Sequence, residues 1–174
     1  MDATITLRVD GEEHTLTVDT RTTLLDALRE HLTITSPKKG CDHGQCGSCT
    51  VLLDGRRALT CLSLAVAHDG ATLVTADGLA SDGELHPVAS AFLDADAYQC
   101  GYCTPGQICS AVGVLSEADG GWPSAVTPDL DADRITLDRH EIAERMSGNL
   151  CRCGAYANIV DAVESVAAGG GGAR

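Results

Sequence analysis

The sequence predicts an α+β chain: a small mixed sheet with one helix, followed by an all-helical half. Two observations carry this. Within the first 75 positions apolar residues alternate at period two over 4–9 and further short strand candidates follow, with one helical stretch among them; beyond position 85 they recur at helical spacing. Between these halves the composition changes near Ala76, where Asp77-Gly78 and Ser81-Asp82-Gly83 are dense in turn formers. The predicted division is residues 1–77, a linker over 78–84, a helical unit over 85–168, and a Gly-rich disordered tail over 169–174.

Each element has a local cause. Ile5, Leu7 and Val9 alternate on one face of a first strand, and Asp10-Gly11 is a hairpin signal leading to a return strand over 15–18. Leu24, Leu25, Leu28 and Leu32 fall at helical spacing behind Thr22 and Thr23, either of which is placed to cap. A strand over 49–53 ends in the Asp54-Gly55 turn, and 71–75 reads as another. In the second half, 85–95 sets Val88, Phe92 and Leu93 on one side, and 105–115 groups Ile108, Val112 and Leu115 behind a Thr-Pro suited to a helix start. Residues 119–133, with Gly-Gly, two prolines and Asp129, Asp131 and Asp133, read as an exposed loop. Helices over 138–146 and 158–167 close the fold, the latter with Ile159, Val163 and Val166 on one face.

Composition narrows the function. With 12 basic and 25 acidic residues the net charge is −13, which opposes nucleic acid and anionic membrane surfaces as partners. No apolar run approaches the roughly 20 residues of a membrane span. The N-terminal Met1-Asp2-Ala3-Thr4 has neither a basic nor an apolar leader region and no twin arginine. A cytoplasmic, reducing compartment is therefore expected, where nine cysteines serve as ligands rather than disulfides.

Cys41, Cys46, Cys49 and Cys61 stand as C-x4-C-x2-C followed by a more distant fourth cysteine. This is the plant-type 2Fe–2S ferredoxin spacing. Four thiolates around two irons and two sulfides make an anionic cluster, which backbone N–H groups stabilise. A loop that close to the sulfurs needs small residues, and Gly40, Gly44 and Gly47 surround the cysteines. Structural zinc sites usually pair ligands as C-x2–4-C twice, which this triplet does not. Cys41-Asp42-His43 looks like half a Rieske site, but no C-x2-H completes it, so His43 reads as a solvated loop residue.

Cys100 and Cys103 form C-x2-C, and Cys151 and Cys153 form C-x-C. Each pair lies just ahead of a predicted helix, whose N-terminus favours negative charge. The spacing alone suits zinc as well as iron–sulfur; beside the first set, a second redox cluster is the better reading. The ninth cysteine, Cys109, falls inside a helix and reads as a small buried hydrophobe. Six histidines are scattered, and no nucleophile–base constellation appears, so no catalytic residue is assigned.

Three motifs then carry a family resemblance. Gly40-Cys41-Asp42-His43-Gly44-Gln45-Cys46-Gly47-Ser48-Cys49-Thr50-Val51 resembles the first cluster loop of the molybdenum hydroxylases, the xanthine dehydrogenase and aldehyde oxidase family. Gln99-Cys100-Gly101-Tyr102-Cys103-Thr104-Pro105-Gly106 and Ser147-Gly148-Asn149-Leu150-Cys151-Arg152-Cys153-Gly154 resemble its second cluster site. The match covers nearly the whole chain in order. It implies a β-grasp ferredoxin domain followed by an all-α four-helix domain, each holding one 2Fe–2S cluster. It implies an oxidoreductase subunit that relays electrons from a large molybdopterin-binding subunit to a medium FAD-binding subunit. Gln99 then matches a pterin-contacting residue, and Cys153 lies beside the pterin as well as on iron. The segment from Gly106 through the long loop to Gly148 most resembles the three-subunit periplasmic aldehyde oxidases of bacteria. Those carry a twin-arginine leader on this subunit, which is not seen here; a periplasmic location follows only if a leader has been left off. Oxidation of aldehydes to carboxylic acids is the expected activity of the complex. A xanthine or N-heterocycle dehydrogenase subunit and a free-standing two-cluster carrier are the alternatives, with a zinc-stabilised interaction module behind them.

Overall fold

The computed structural model describes residues 1–169; the tail predicted over 169–174 lies, from 170 on, outside the described residues. Strand β1 (Asp2–Val9) pairs antiparallel with β2 (Glu12–Asp19) through a turn in which Asp10 and Gly11 both hold positive φ, 52° and 87°. Two left-handed residues give the turn a twist that matches paired strands. β3 (Thr50–Leu53) and β4 (Arg56–Leu59) form a second hairpin of the same kind around Asp54-Gly55. With β5 (Thr72–Val74) they complete a five-stranded mixed sheet of order β2-β1-β5-β3-β4, in which β1 and β5 run parallel.

Helix α1 (Leu24–Asp26) runs on into a wider π turn over Ala27–His31. Of the two candidate caps, Thr23 is the one used: its hydroxyl accepts from the Asp26 N–H at 3.1 Å. Leu24, Ala27 and Leu28 lie fully buried against Ile5, Leu7, Val9, Val18 and Leu73 of the sheet. A helix clasped by a mixed sheet is the β-grasp arrangement expected for the first half.

The second half is built from α2 (Pro87–Asp94), α3 (Thr104–Asp119), α4 (Arg139–Met146) and α5 (Tyr156–Ala168). Val88, Phe92, Ile108, Val112, Leu115, Ile142, Ile159 and Val163 share one core, which Leu52 of β3 also enters. The expected grouping of Leu93 with Val88 and Phe92 is corrected: Leu93 is 50% exposed, because the α2 stripe facing α5 is narrow. Helix α3 is four residues longer than the 105–115 pattern at its C-terminal end, and it is buried on nearly every side. It packs on the β3–β4 hairpin as well as on α2 and α4, so its polar Gln107 and Ser110 are buried too.

Sheet and helices are clasped by a group of charges. The Arg57 guanidinium grips Glu117 with two bonds of 2.8 and 2.7 Å and donates to the Arg145 carbonyl at 2.8 Å. Arg145, only 4% exposed at its side chain, donates to Glu141 at 2.9 Å and to the Trp122 carbonyl. Thr127 donates to Glu141 at 2.8 Å, which ties down the loop after α3. Burial opposes the charge on Glu141, but bonds from Ser124, Thr127 and Arg145 outweigh it and hold its carboxyl below the ordinary 4.5.

Replacing Glu141 with Gln leaves the buried Arg145 short of a counter-charge, at an expected cost of about 2–4 kcal/mol at pH 7. Because the folded pKa is depressed, this contribution is present above the ordinary glutamate value and is lost as pH falls through the folded one. Denaturant titrations should therefore find wild type more stable than Glu141→Gln at neutral pH, with the gap closing in acid.

Candidate iron–sulfur centres

The first cysteine set lies on the loop between α1 and β3, with Cys61 on the 3₁₀ turn that follows β4. The backbone turns back on itself through Asp42, Gly44 and Gly47, all at positive φ. That winding aims N–H groups inward: Gln45 and Cys46 donate to the Cys41 sulfur at 3.2 and 3.4 Å. The N–H of His43 has the largest effect, and with those of Cys46 and Gln45 it lowers the Cys41 thiol to about 6. Cys49 and Cys61 are buried and face each other with their sulfurs 3.4 Å apart. Burial pushes the Cys61 thiol up to about 11. The four sulfurs thus fall into two pairs, Cys41 with Cys46 and Cys49 with Cys61. Two pairs suit two irons, each taking two thiolates, and inward N–H groups suit the sulfurs of an anionic cluster.

In the second set Cys103 caps α3, and Cys151 precedes α5. Cys103 donates toward the Cys151 sulfur, and Cys100 lies near enough to Cys103 to oppose its ionisation. Burial, chiefly, pushes Cys103 up to about 12. Cys151 is buried as well, yet the N–H groups of Ala155, Cys153 and Gly154, with the Cys103 thiol, bring its pKa below the ordinary value. Cys153 is exposed, and its N–H reaches the Cys151 sulfur. A cavity of about 650 Å³ opens between the two sets, touching Cys41 and Cys46 on one side and Cys100, Cys103 and Cys151 on the other. Gln99, exposed beside Cys100, makes no side-chain hydrogen bond among the described residues. Cys109 is 1% exposed in the interior of α3, apart from both sets, and burial raises its thiol to about 12.

Asn149, inside the motif that leads into Cys151, joins the two sites. The Asn149 amide donates to the Gly47 carbonyl at 3.0 Å and to the Gly106 carbonyl at 3.2 Å, and accepts from Ser110 at 2.6 Å. Its main-chain carbonyl accepts from Gln107 at 2.9 Å. The adjacent Leu150 N–H donates to the Cys46 carbonyl at 2.8 Å. The first loop, the start of α3 and the second loop are so brought together that there is no room for a Cβ at the meeting point. One added at Gly47 would stand 2.4 Å from the Gly148 carbonyl, and one at Gly106 would stand 2.5 Å from the Gly47 carbonyl.

Fold and thiol sets together define a carrier of two iron–sulfur clusters. Residues 7–76 match the family model of the 2Fe-2S iron-sulfur cluster binding domain, and residues 75–164 that of the 2Fe-2S binding domain. The chain is 60% identical over 164 residues, 94% of its length and 71% of the relative's, to the aldehyde oxidoreductase iron-sulfur-binding subunit PaoA of Escherichia coli K12. It is 43% identical to the caffeine dehydrogenase subunit gamma of Pseudomonas sp. CBB1, covering 93% of this chain and 89% of that one. Among solved structures it matches quinoline 2-oxidoreductase of Pseudomonas putida 86 with a TM-score of 0.81 at 36% identity, over 97% of this chain and 98% of that one. The chain belongs to the iron–sulfur subunits of the molybdenum hydroxylase family, and its role is electron transfer within an oxidoreductase. Among the described residues no helix is long and apolar enough to cross a membrane.

Gly47→Ala adds a methyl group where only backbone fits, in a left-handed conformation as well. The variant is expected to purify with less iron than wild type, the deficit falling on both centres because the two loops meet there. Iron and labile-sulfide analysis with the visible spectrum checks this.

Proposed function

We propose that Cys41, Cys46, Cys49 and Cys61 hold one 2Fe–2S cluster, and Cys100, Cys103, Cys151 and Cys153 the other. On this reading the domains run over 1–77 and 85–168, joined by the 78–84 linker. Each cluster, when bound, accepts and releases one electron. The residues of the chain do the rest. Buried Cys49, Cys61 and Cys151 keep water from the sulfurs, and the N–H groups of Gln45, Cys46 and Ala155 offset the added negative charge. The observation that carries the relay is the 2.8 Å bond from the Leu150 N–H to the Cys46 carbonyl. It links a ligand of the first set to the residue next to Cys151, so the two sets are joined by covalent bonds and one hydrogen bond.

The partners are a large subunit that binds molybdopterin and a medium subunit that binds FAD. Exposed Gln99 and Cys153 turn the second set toward the molybdopterin, which leaves the first set to pass electrons to flavin. The complex oxidises aldehydes to carboxylic acids; the 60% identity to an aldehyde oxidoreductase subunit, against 43% to a caffeine dehydrogenase subunit, favours aldehydes over N-heterocycles. Nine free cysteines, eight of them assigned to iron, suit a cytoplasmic, reducing compartment.

Coexpressed with its neighbouring subunits, the chain is expected to copurify with flavin and molybdopterin and to give two distinct 2Fe–2S signals in EPR after reduction. Cys46→Ser should remove one signal and Cys103→Ser the other. A colourless, zinc-containing chain, or a complex inactive on every aldehyde tested but active on purines, would refute the corresponding part.

A further inference from the structure

Two phenols line the cavity at the second thiol set, and they differ in one respect. Tyr102 and Tyr156 are both about half exposed and both border the space shared by Cys100, Cys103 and Cys151. The Tyr102 hydroxyl donates its proton to the Lys39 carbonyl at 2.8 Å, so that proton is spent on backbone. The Tyr156 hydroxyl does the reverse: it accepts, from the N–H of Cys151, at 2.8 Å. A phenol has a single proton to give, and among the described residues the Tyr156 proton has no acceptor. The bond from the Cys151 N–H holds the phenol oxygen beside that cysteine, whose amide nitrogen and sulfur are three bonds apart.

We infer that Tyr156 donates its hydroxyl proton to a sulfur of the second cluster and thereby raises that cluster's reduction potential above the value its backbone surroundings alone would set. This rests on the assignment of Cys100, Cys103, Cys151 and Cys153 as its ligands. The sign follows from charge. Reduction makes the cluster more negative, and a hydrogen bond to sulfur stabilises the reduced state more than the oxidised one. The Cys151 amide, held by the phenol oxygen, is in turn kept from serving as that donor itself. Tyr156 opens α5 only two residues beyond Gly154, so the helix that presents an N–H to the Cys151 sulfur also presents the phenol.

The test is an EPR-monitored redox titration of the purified complex carrying Tyr156→Phe, Tyr102→Phe or neither. Tyr156→Phe should make the second cluster harder to reduce, by roughly tenfold in the equilibrium constant, about 59 mV for one electron, with the first cluster unmoved. Tyr102→Phe, which loses a hydroxyl from the same cavity, should leave the second potential in place. Equal shifts in both variants, or none in Tyr156→Phe, would overturn the inference while leaving the ligand assignment standing. Absence of a second cluster signal in wild type would overturn the assignment itself. A readout independent of any variant is the exchange of wild type into D2O. A fast-exchanging proton coupled to the reduced second cluster, distinct from slow backbone amides, is expected, and its absence would overturn the role of Tyr156.

Discussion

The arrangement depends on one buried amide. Asn149 is 5% exposed and spends its side chain on two chain segments remote from it in sequence, the first cysteine loop and the start of α3. A buried amide left without partners costs on the order of 1–3 kcal/mol for each unmade bond, whereas one that is satisfied fixes a geometry. The contacts of Asn149 are with Gly47 and Gly106, where a side chain would collide with backbone, so the same bonds that satisfy the amide also set how near the loops come. Leu150 then reaches the Cys46 carbonyl as a consequence of the position of its neighbour.

The charge cluster around Arg57, Glu117, Arg145 and Glu141 plays a second part on the far side of α3. Asn149 sits at the N-terminal end of that helix and the charges near its C-terminal end, so α3 is held at both ends against the sheet hairpin. Even the small residues follow from this. A Cβ at Gly113 would strike the Arg57 side chain at 2.2 Å, and the arginine crosses α3 there to reach Glu117. A buried ion group is weak evidence of stability, but it favours one docking geometry over others. For a chain whose work is to hold two redox centres at a fixed separation, a single geometry matters more than a deep energy minimum.

The sequence was most informative where structure is local. Asp10-Gly11 made the hairpin it spells, Thr23 capped α1, and the two cysteine pairs of the second set fell just ahead of helices, because turn chemistry and ligand spacing act over a few residues. It was less informative where tertiary packing decides. Strand β4 was not foreseen: Arg56 and Arg57 are poor strand signals, and only pairing with β3 makes them one. The full burial of α3 was hidden because a helix packed on two sides has no polar face to contrast with an apolar one. The bonds of Asn149 span 39 to 102 residues and those of Arg57 span 60 and 88, distances at which no pattern in the chain signals contact. Asn149 does stand inside the motif ahead of Cys151, but nothing local to it signals what it touches.

Asn149 ties the two cysteine sets into one unit. This tie is tested most directly in the complex carrying Asn149→Leu, by EPR of the fully reduced state. Two nearby paramagnets split each other's signals, and the splitting falls steeply with separation. Wild type is expected to show the splitting, and Asn149→Leu to keep both clusters' own signals while the splitting weakens and electron equilibration between them slows. Unchanged splitting and unchanged equilibration in a variant that still holds both clusters would contradict the claim.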